Sequence, residues 1–221
     1  TTSPTKNQKP SWTWTLSPGA IGYNVYLDGE AMPSEFVVAP TPPDAMLFVH
    51  TTTLAEGVHH LQVTAVDDLG NESAKSGTGH VTIDLTGPTA PSAPIAEVNP
   101  TNQPTQLWWW DYVEDAVKFE VQASEDGSTW SPSTDVGNAT SCVTGFAGDG
   151  VTRYLRVRAF DALGNVGYPS NPEGWSARGS VLVDTVKPAA PTNLAVDETP
   201  TANQQPTWAW TASASVDVAS Y

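Results

Sequence analysis

The chain copies itself, and this constrains its fold more than any single motif does. Asn7-Gln8-Lys9-Pro10-Ser11-Trp12-Thr13-Trp14 recurs as Asn102-Gln103-Pro104-Thr105-Gln106-Leu107-Trp108 and again as Asn203-Gln204-Gln205-Pro206-Thr207-Trp208-Ala209-Trp210. Pro10 to Pro104 is a step of 94, and Pro104 to Pro206 a step of 102. Ala65-Val66-Asp67-Asp68-Leu69-Gly70-Asn71 matches Ala159-Phe160-Asp161-Ala162-Leu163-Gly164-Asn165, again 94 apart. Val81-Thr82-Ile83-Asp84, leading to Pro88 and Pro91, matches Val181-Leu182-Val183-Asp184, leading to Pro188 and Pro191, at a step of 100. Three landmarks in one order identify a tandem array with a module of about 95–100 residues. In that frame residues 85–184 are one complete module, residues 1–84 lack the first strand, and residues 185–221 hold only opening strands, down to Tyr221, which aligns with Phe119. An isolated hairpin is marginal in water. The incomplete pieces are therefore expected to be completed by neighbouring modules of a longer chain, or by a strand from a neighbouring chain.

Charge and composition exclude several classes of function. The 221 residues carry 24 acidic and 9 basic side chains, a formal charge of -15. Nucleic acid needs a basic footprint and is excluded as a partner. No apolar run approaches the length of a membrane span, so no insertion is expected within this segment. The lone Cys142 cannot form an internal disulfide, and nine Trp are too many for a disordered acidic tail.

Strand signals dominate. Leu61, Val63 and Ala65 alternate with Gln62 and Thr64, and Leu155, Val157 and Ala159 alternate with Arg156 and Arg158, the period of a half-buried strand. Phe119, Val121 and Ala123 alternate likewise before the turn Glu125-Asp126-Gly127. Tyr23 to Leu27 runs into Asp28-Gly29, a pair that readily supplies positive φ. No stretch has a 3.6-residue period with caps. Several short strands per module, separated by turns, predict an all-β chain of antiparallel β-sandwiches.

The succession Pro-Thr-Trp-x-Trp, Leu-Asp-Gly, Gly-x-His-x-Leu-x-Val-x-Ala-x-Asp-x-x-Gly-Asn and Val-Asp-Thr-x-x-Pro resembles bacterial Ig-like and fibronectin-III-like tandem repeats. Such repeats are common in large secreted adhesins and cell-surface proteins, and also sit beside secreted polysaccharide-degrading enzymes. Fibronectin-III strands usually carry Tyr four residues before the Val that Val157 matches. Here that position is Arg153, with Tyr154 one residue late, and His59 fills the slot in the first copy. This departure leans toward the Ig-like variant. The resemblance implies a non-catalytic spacer or stalk, extracellular or at the cell surface, whose Pro-rich joins limit bending because proline fixes φ. The alternative it leaves is a carbohydrate-binding or accessory module of a secreted polysaccharide-degrading enzyme; a third is a self-associating fibre.

Candidate sites follow from residue chemistry. No nucleophile elbow or zinc-type His pair is present, and adjacent His59 and His60 face opposite sides of a strand. Cys142 lacks a nucleophile signature. Calcium takes six to eight hard oxygens, and the resemblance implies ions near module joins. Asp67, Asp68 and Asn71 are expected to combine with Asp84, and Asp161 and Asn165 with Asp184, to hold Ca2+. The competing reading is a tight turn in which Asp and Asn bond their own backbone and Gly70 or Gly164 takes positive φ. Trp14, Trp108 and Trp210 are expected in the core between two sheets. Trp109 must point away from Trp108 and Trp110. With Tyr112, Trp130 and Trp175 it is the candidate stacking platform for a glycan, the partner otherwise being another cell-surface protein.

Overall fold

A computed structural model describes residues 2–40, 45–145, 148–168, 170–196, 202 and 204–215; Asn203 and Tyr221, used in the alignment above, lie outside them. Every element among the described residues is a β-strand. The chain divides into two compact units. One comprises Thr1–Ala90, Tyr112–Phe119 and Arg158–Trp175; the other comprises Pro91–Asp111, Glu120–Val157 and Ser176–Tyr221.

The first copy contains β1 (Ser11–Trp14), β2 (Gly22–Leu27), β3 (Glu35–Val38), β4 (Met46–Val49), β5 (Gly57–Val66) and β6 (Gly79–Ile83). Strands β1 and β4 pair alone, while the other four form an antiparallel sheet in the order β3-β2-β5-β6. The β2–β3 hairpin turns at Asp28 and Gly29, with φ of 47° and 80°, the two left-handed residues expected of Asp-Gly. Tyr23, Val25, Phe48, Leu61 and Val63 form the core, with Trp12 and Trp14 half-buried against it. Trp14 meets Tyr23 edge-on, ring centroids 5.4 Å apart.

The second copy repeats this topology. Its strands are β7 (Ile95–Ala96), β8 (Thr105–Trp109), β9 (Lys118–Ser124), β10 (Thr134–Gly137), β11 (Ser141–Gly145), β12 (Thr152–Phe160) and β13 (Gly179–Leu182). Sheet orders are β11-β8-β7 and β10-β9-β12-β13, the first copy's orders with β7 added at the edge. Constant-type Ig domains attach their fourth strand to the first-strand sheet. Here β3 and β10 join the opposite, larger sheet, an arrangement within the range of Ig-like and fibronectin-III-like sandwiches. The hairpins after β2 and β9 are short enough to hold the next strand on the same sheet.

A second repeated device closes each copy. Thr5 bridges Ile83 in parallel, and Thr101 bridges Val183 in the same way. Asp84 N–H donates to Thr5 O at 3.0 Å, and Asp184 N–H to Thr101 O at 2.9 Å. The two exit aspartates thus hold equivalent places.

Alternation places the tryptophans. Trp108 is 1% exposed, with its Nε1–H donating to Thr144 Oγ1 at 2.9 Å, and Trp110 is 2% exposed, while Trp109 between them is 43% exposed. Trp210 departs from expectation at 46% exposed. Its strand β15 (Trp208–Thr211) pairs only with β14 (Thr192–Val196), and no second sheet covers the pair among the described residues.

Glu72 ties the larger sheet of the first copy together. Its carboxylate accepts hydrogen bonds from Thr64 Oγ1, from Tyr26 OH at 2.6 Å and from Asn24 Nδ2 at 3.0 Å. These donors, Thr64 first, hold its pKa down at about 2. A depressed carboxylate pKa contributes stability that is present above the unfolded value and lost as pH falls through the folded one.

Two outcomes are expected. Trp108→Ala should lower unfolding free energy by about 3–5 kcal/mol, and Trp109→Ala by about 1 kcal/mol or less, in urea denaturation. The melting-midpoint gap between the wild type and Glu72→Gln should be widest near neutral pH and close as pH falls from 4.5 toward 2.

Candidate functional site

The recurring Asp-x-x-Gly-Asn segment folds identically in both copies. Asp67 Oδ1 accepts from Leu69 N–H at 3.0 Å and Asn71 N–H at 2.8 Å, and its Oδ2 from Asn71 Nδ2 at 2.9 Å. Asp161 repeats the set with Leu163 N–H at 2.8 Å, Asn165 N–H at 2.8 Å and Asn165 Nδ2 at 2.9 Å. Gly70 and Gly164 take φ of 82° and 75°, where an L side chain is strained. The side-chain and backbone bonds from Asn71 lower the Asp67 pKa. Both segments are tight turns whose carboxylates already receive N–H donors.

The copies differ in what the turn touches. Asn71 is exposed, whereas Asn165 is 3% exposed. Asn165 Nδ2 also donates to Asp84 O at 3.1 Å, across 81 residues of sequence. Sequence order paired Asp84 with the Asp67 turn and Asn165 with Asp184. Instead, Asp84 meets Asn165, whose Nδ2 also donates to Asp161 Oδ2, while Asp184 turns to its own segment, accepting from Val186 N–H at 3.2 Å. Further bonds fix the segment after Asp84. Gly87 N–H donates to Gly167 O at 2.7 Å, Thr86 Oγ1 donates to Glu56 Oε2 at 2.7 Å, and Pro88 is buried. A Cβ on Gly87 would lie 2.5 Å from Val166 Cα, so only glycine permits this approach. Lys6, which sequence reasoning passed over, donates to Gly164 O at 3.2 Å. Alignment within copies conceals the contacts of Asp84 with Asn165, Glu56 with Thr86 and Lys6 with Gly164, because each joins a residue of one copy to a residue of the next.

Beside this joint lies a cleft of about 820 Å³ lined by Asp84, Glu114, Asp115, Asp161 and Tyr112. Oxygens are plentiful there. Even so, no three His, Cys, Asp or Glu side chains converge closely enough to hold a metal ion among the described residues. Asp68 is exposed and lines a different cleft, with Asp67 and Asn71.

The aromatic candidates lie on different elements. Trp109 projects from β8 in the smaller sheet, and Tyr112 is 70% exposed in the segment that follows. Trp130 and Trp175 are half-buried, and each is capped by a guanidinium. Arg156 lies 4.3 Å from the Trp130 ring, held by two bonds to Gln122 Oε1, and Arg158 lies 4.5 Å from the Trp175 ring. A sugar stacking on the covered face of either ring would displace an arginine.

No triad-like arrangement emerges at the imidazoles already bound to neighbours. His59 Nδ1 lies 2.7 Å from Asp28 Oδ2, but its Nε2 faces Ala55 O at 2.9 Å, a carbonyl where catalysis needs a nucleophile. Burial pushes the half-buried Cys142 thiol up to about 11, away from thiolate reactivity.

Asn165→Ala should cost about 1–3 kcal/mol in unfolding free energy, because it removes a buried amide that donates to a part-buried carbonyl and carboxylate. Asn71→Ala removes the matching turn contact without that burial and should cost less. Equal losses in urea denaturation would contradict a special role for Asn165.

No family model matches the chain, and no curated protein matches it. Among solved structures it is similar to the chicken CNTN1 FN1-FN3 domains, at 17% identity and a TM-score of 0.39, over 81% of this chain and 64% of that one. It is also similar to the FN3tt mut structure, at 20% identity and a TM-score of 0.32, over 45% of this chain and 98% of that one. The chain thus spans less than two thirds of the CNTN1 structure. Neither likeness is close enough to bear on what the chain does. On its own strand order, the chain is all-β and built from antiparallel sheets whose topology repeats.

Proposed function

We propose that the chain is a non-catalytic spacer or stalk segment of a large secreted or surface-anchored bacterial protein, of the kind adhesins carry. The observation that carries this reading is the fixed joint. Asn165 donates to the Asp84 carbonyl, Gly87 is hydrogen-bonded to Gly167, and Pro88 is buried. A linker meant to let modules tumble would be solvated and polar; this one has its backbone groups committed. The accessory carbohydrate-binding alternative draws less support, since Trp130 and Trp175 lie under arginines. No helix among the described residues is long and apolar enough to cross a membrane.

Calcium at the join is a separate proposal, resting on the family resemblance. The cleft bearing Asp84, Glu114, Asp115 and Asp161 supports this proposal with its carboxylates. The proposed joint does not depend on it.

One measurement addresses both. With a donor and an acceptor dye at the chain termini, single-molecule transfer efficiency should be narrowly distributed in chelator, and Gly87→Ala should broaden it. A broad distribution that narrows only on adding Ca2+ would assign the stiffening to the ion. A broad distribution in both conditions would overturn the spacer reading.

A further inference from the structure

Two of the four histidines have partners: His50 Nδ1 lies 2.8 Å from Thr52 O, and His59 lies between Asp28 and Ala55. The other two, His60 and His80, stand directly opposite each other in the register of β5 and β6. They are 20 residues apart in sequence, so only the strand pairing reveals them as neighbours.

The backbone fixes which kind of pair they form. His60 N–H donates to Asp28 Oδ1 at 2.7 Å, and His60 O accepts from Asp28 N–H at 2.8 Å. Both backbone groups therefore point toward the β2 side, away from β6. His60 and His80 are a non-hydrogen-bonded cross-strand pair, the arrangement that brings facing side chains closest. Their Cβ atoms are expected about 4.5–5.5 Å apart. Leu61, Val81 and Ile83 occupy the core side of these strands, so the two imidazoles stand on the outer face, and both are exposed. Neither ring makes a hydrogen bond among the described residues. Val58 and Gln62 of β5 and Thr82 of β6 carry no charge, while the Asp28 carboxylate, which accepts from His60 N–H, is a charge that acts on His60.

We propose that His60 and His80 form a bidentate site for a divalent transition-metal ion, with water completing the coordination. Imidazole nitrogens bind such ions at about 2.0–2.1 Å, a span that two facing rings on adjacent strands can close. Nitrogen ligands favour Cu2+ above the other divalent first-row ions. Strands β5 and β6 are already paired, so the ion meets a site whose backbone needs no rearrangement. Metal ions compete with protons for imidazole nitrogen, so affinity falls as the solution is acidified.

Calorimetric titration of the full chain with Cu2+ tests this, alongside His60→Ala and His80→Ala. Both positions are on the surface, and circular dichroism is to check that each variant is folded. The expected result is one Cu2+ per chain at pH 7.5, weakened on the order of tenfold or more in either variant because the second ligand no longer acts intramolecularly. Paramagnetic resonance should show one fewer coordinated imidazole nitrogen in each. Absence of binding by the wild type, wild-type affinity in either variant, or the same affinity at pH 5.5 as at pH 7.5 would overturn the proposal.

Discussion

Asn165 places one amide group between two segments far apart in sequence: its own turn, at Asp161, and the exit of the preceding copy, at Asp84. A side-chain amide has two N–H donors, and here both are directed at oxygens in a nearly solvent-free setting. The geometry around it follows. With the Asp84 carbonyl held, the chain runs past Val166 closely enough that Gly87 can carry no side chain, and Pro88 is drawn into the interior. The equivalent Asn71 forms the same turn but stays exposed, so the turn sequence alone does not create the joint.

Much of the fold was legible in the sequence. Alternation in Leu155, Val157 and Ala159 buries all three, and Trp108-Trp109-Trp110 resolves into in, out, in, because strand side chains alternate. Asp28-Gly29 turns as its residue types require. What escaped detection depends on relations between elements. The pairing of Asp84 with Asn165 connects two copies, whereas the alignment compares positions within copies. The sheet joined by the fourth strand depends on hairpin length and packing. Trp210 aligns with buried Trp108 yet stands exposed, because burial comes from an opposing sheet and not from the strand itself.

The charge distribution also reads differently at the level of contacts. Against an excess of acid, several of the few cations lie over aromatic rings: Lys75 over Tyr26, Lys118 over Phe160, Arg156 over Trp130, Arg158 over Trp175 and Arg178 over Tyr154. Each sets its charged group over the face of a ring, where the ring's electrons attract it. This explains how Trp130 and Trp175 sit outside the core without becoming open platforms. Likewise, many carboxylates serve backbone geometry: Asp126 collects N–H bonds from Ser128 and Thr129, which drive its pKa well below the usual carboxylate range.

The joint's reality is most directly read from hydrogen exchange at one amide, that of Gly87, which donates to Gly167 O at 2.7 Å. A joint held by Asn165 requires this amide to exchange much more slowly than an unstructured glycine, and Asn165→Ala to remove that protection while the amides of β12 keep theirs. Exchange of Gly87 in the wild type at the unprotected rate would contradict it.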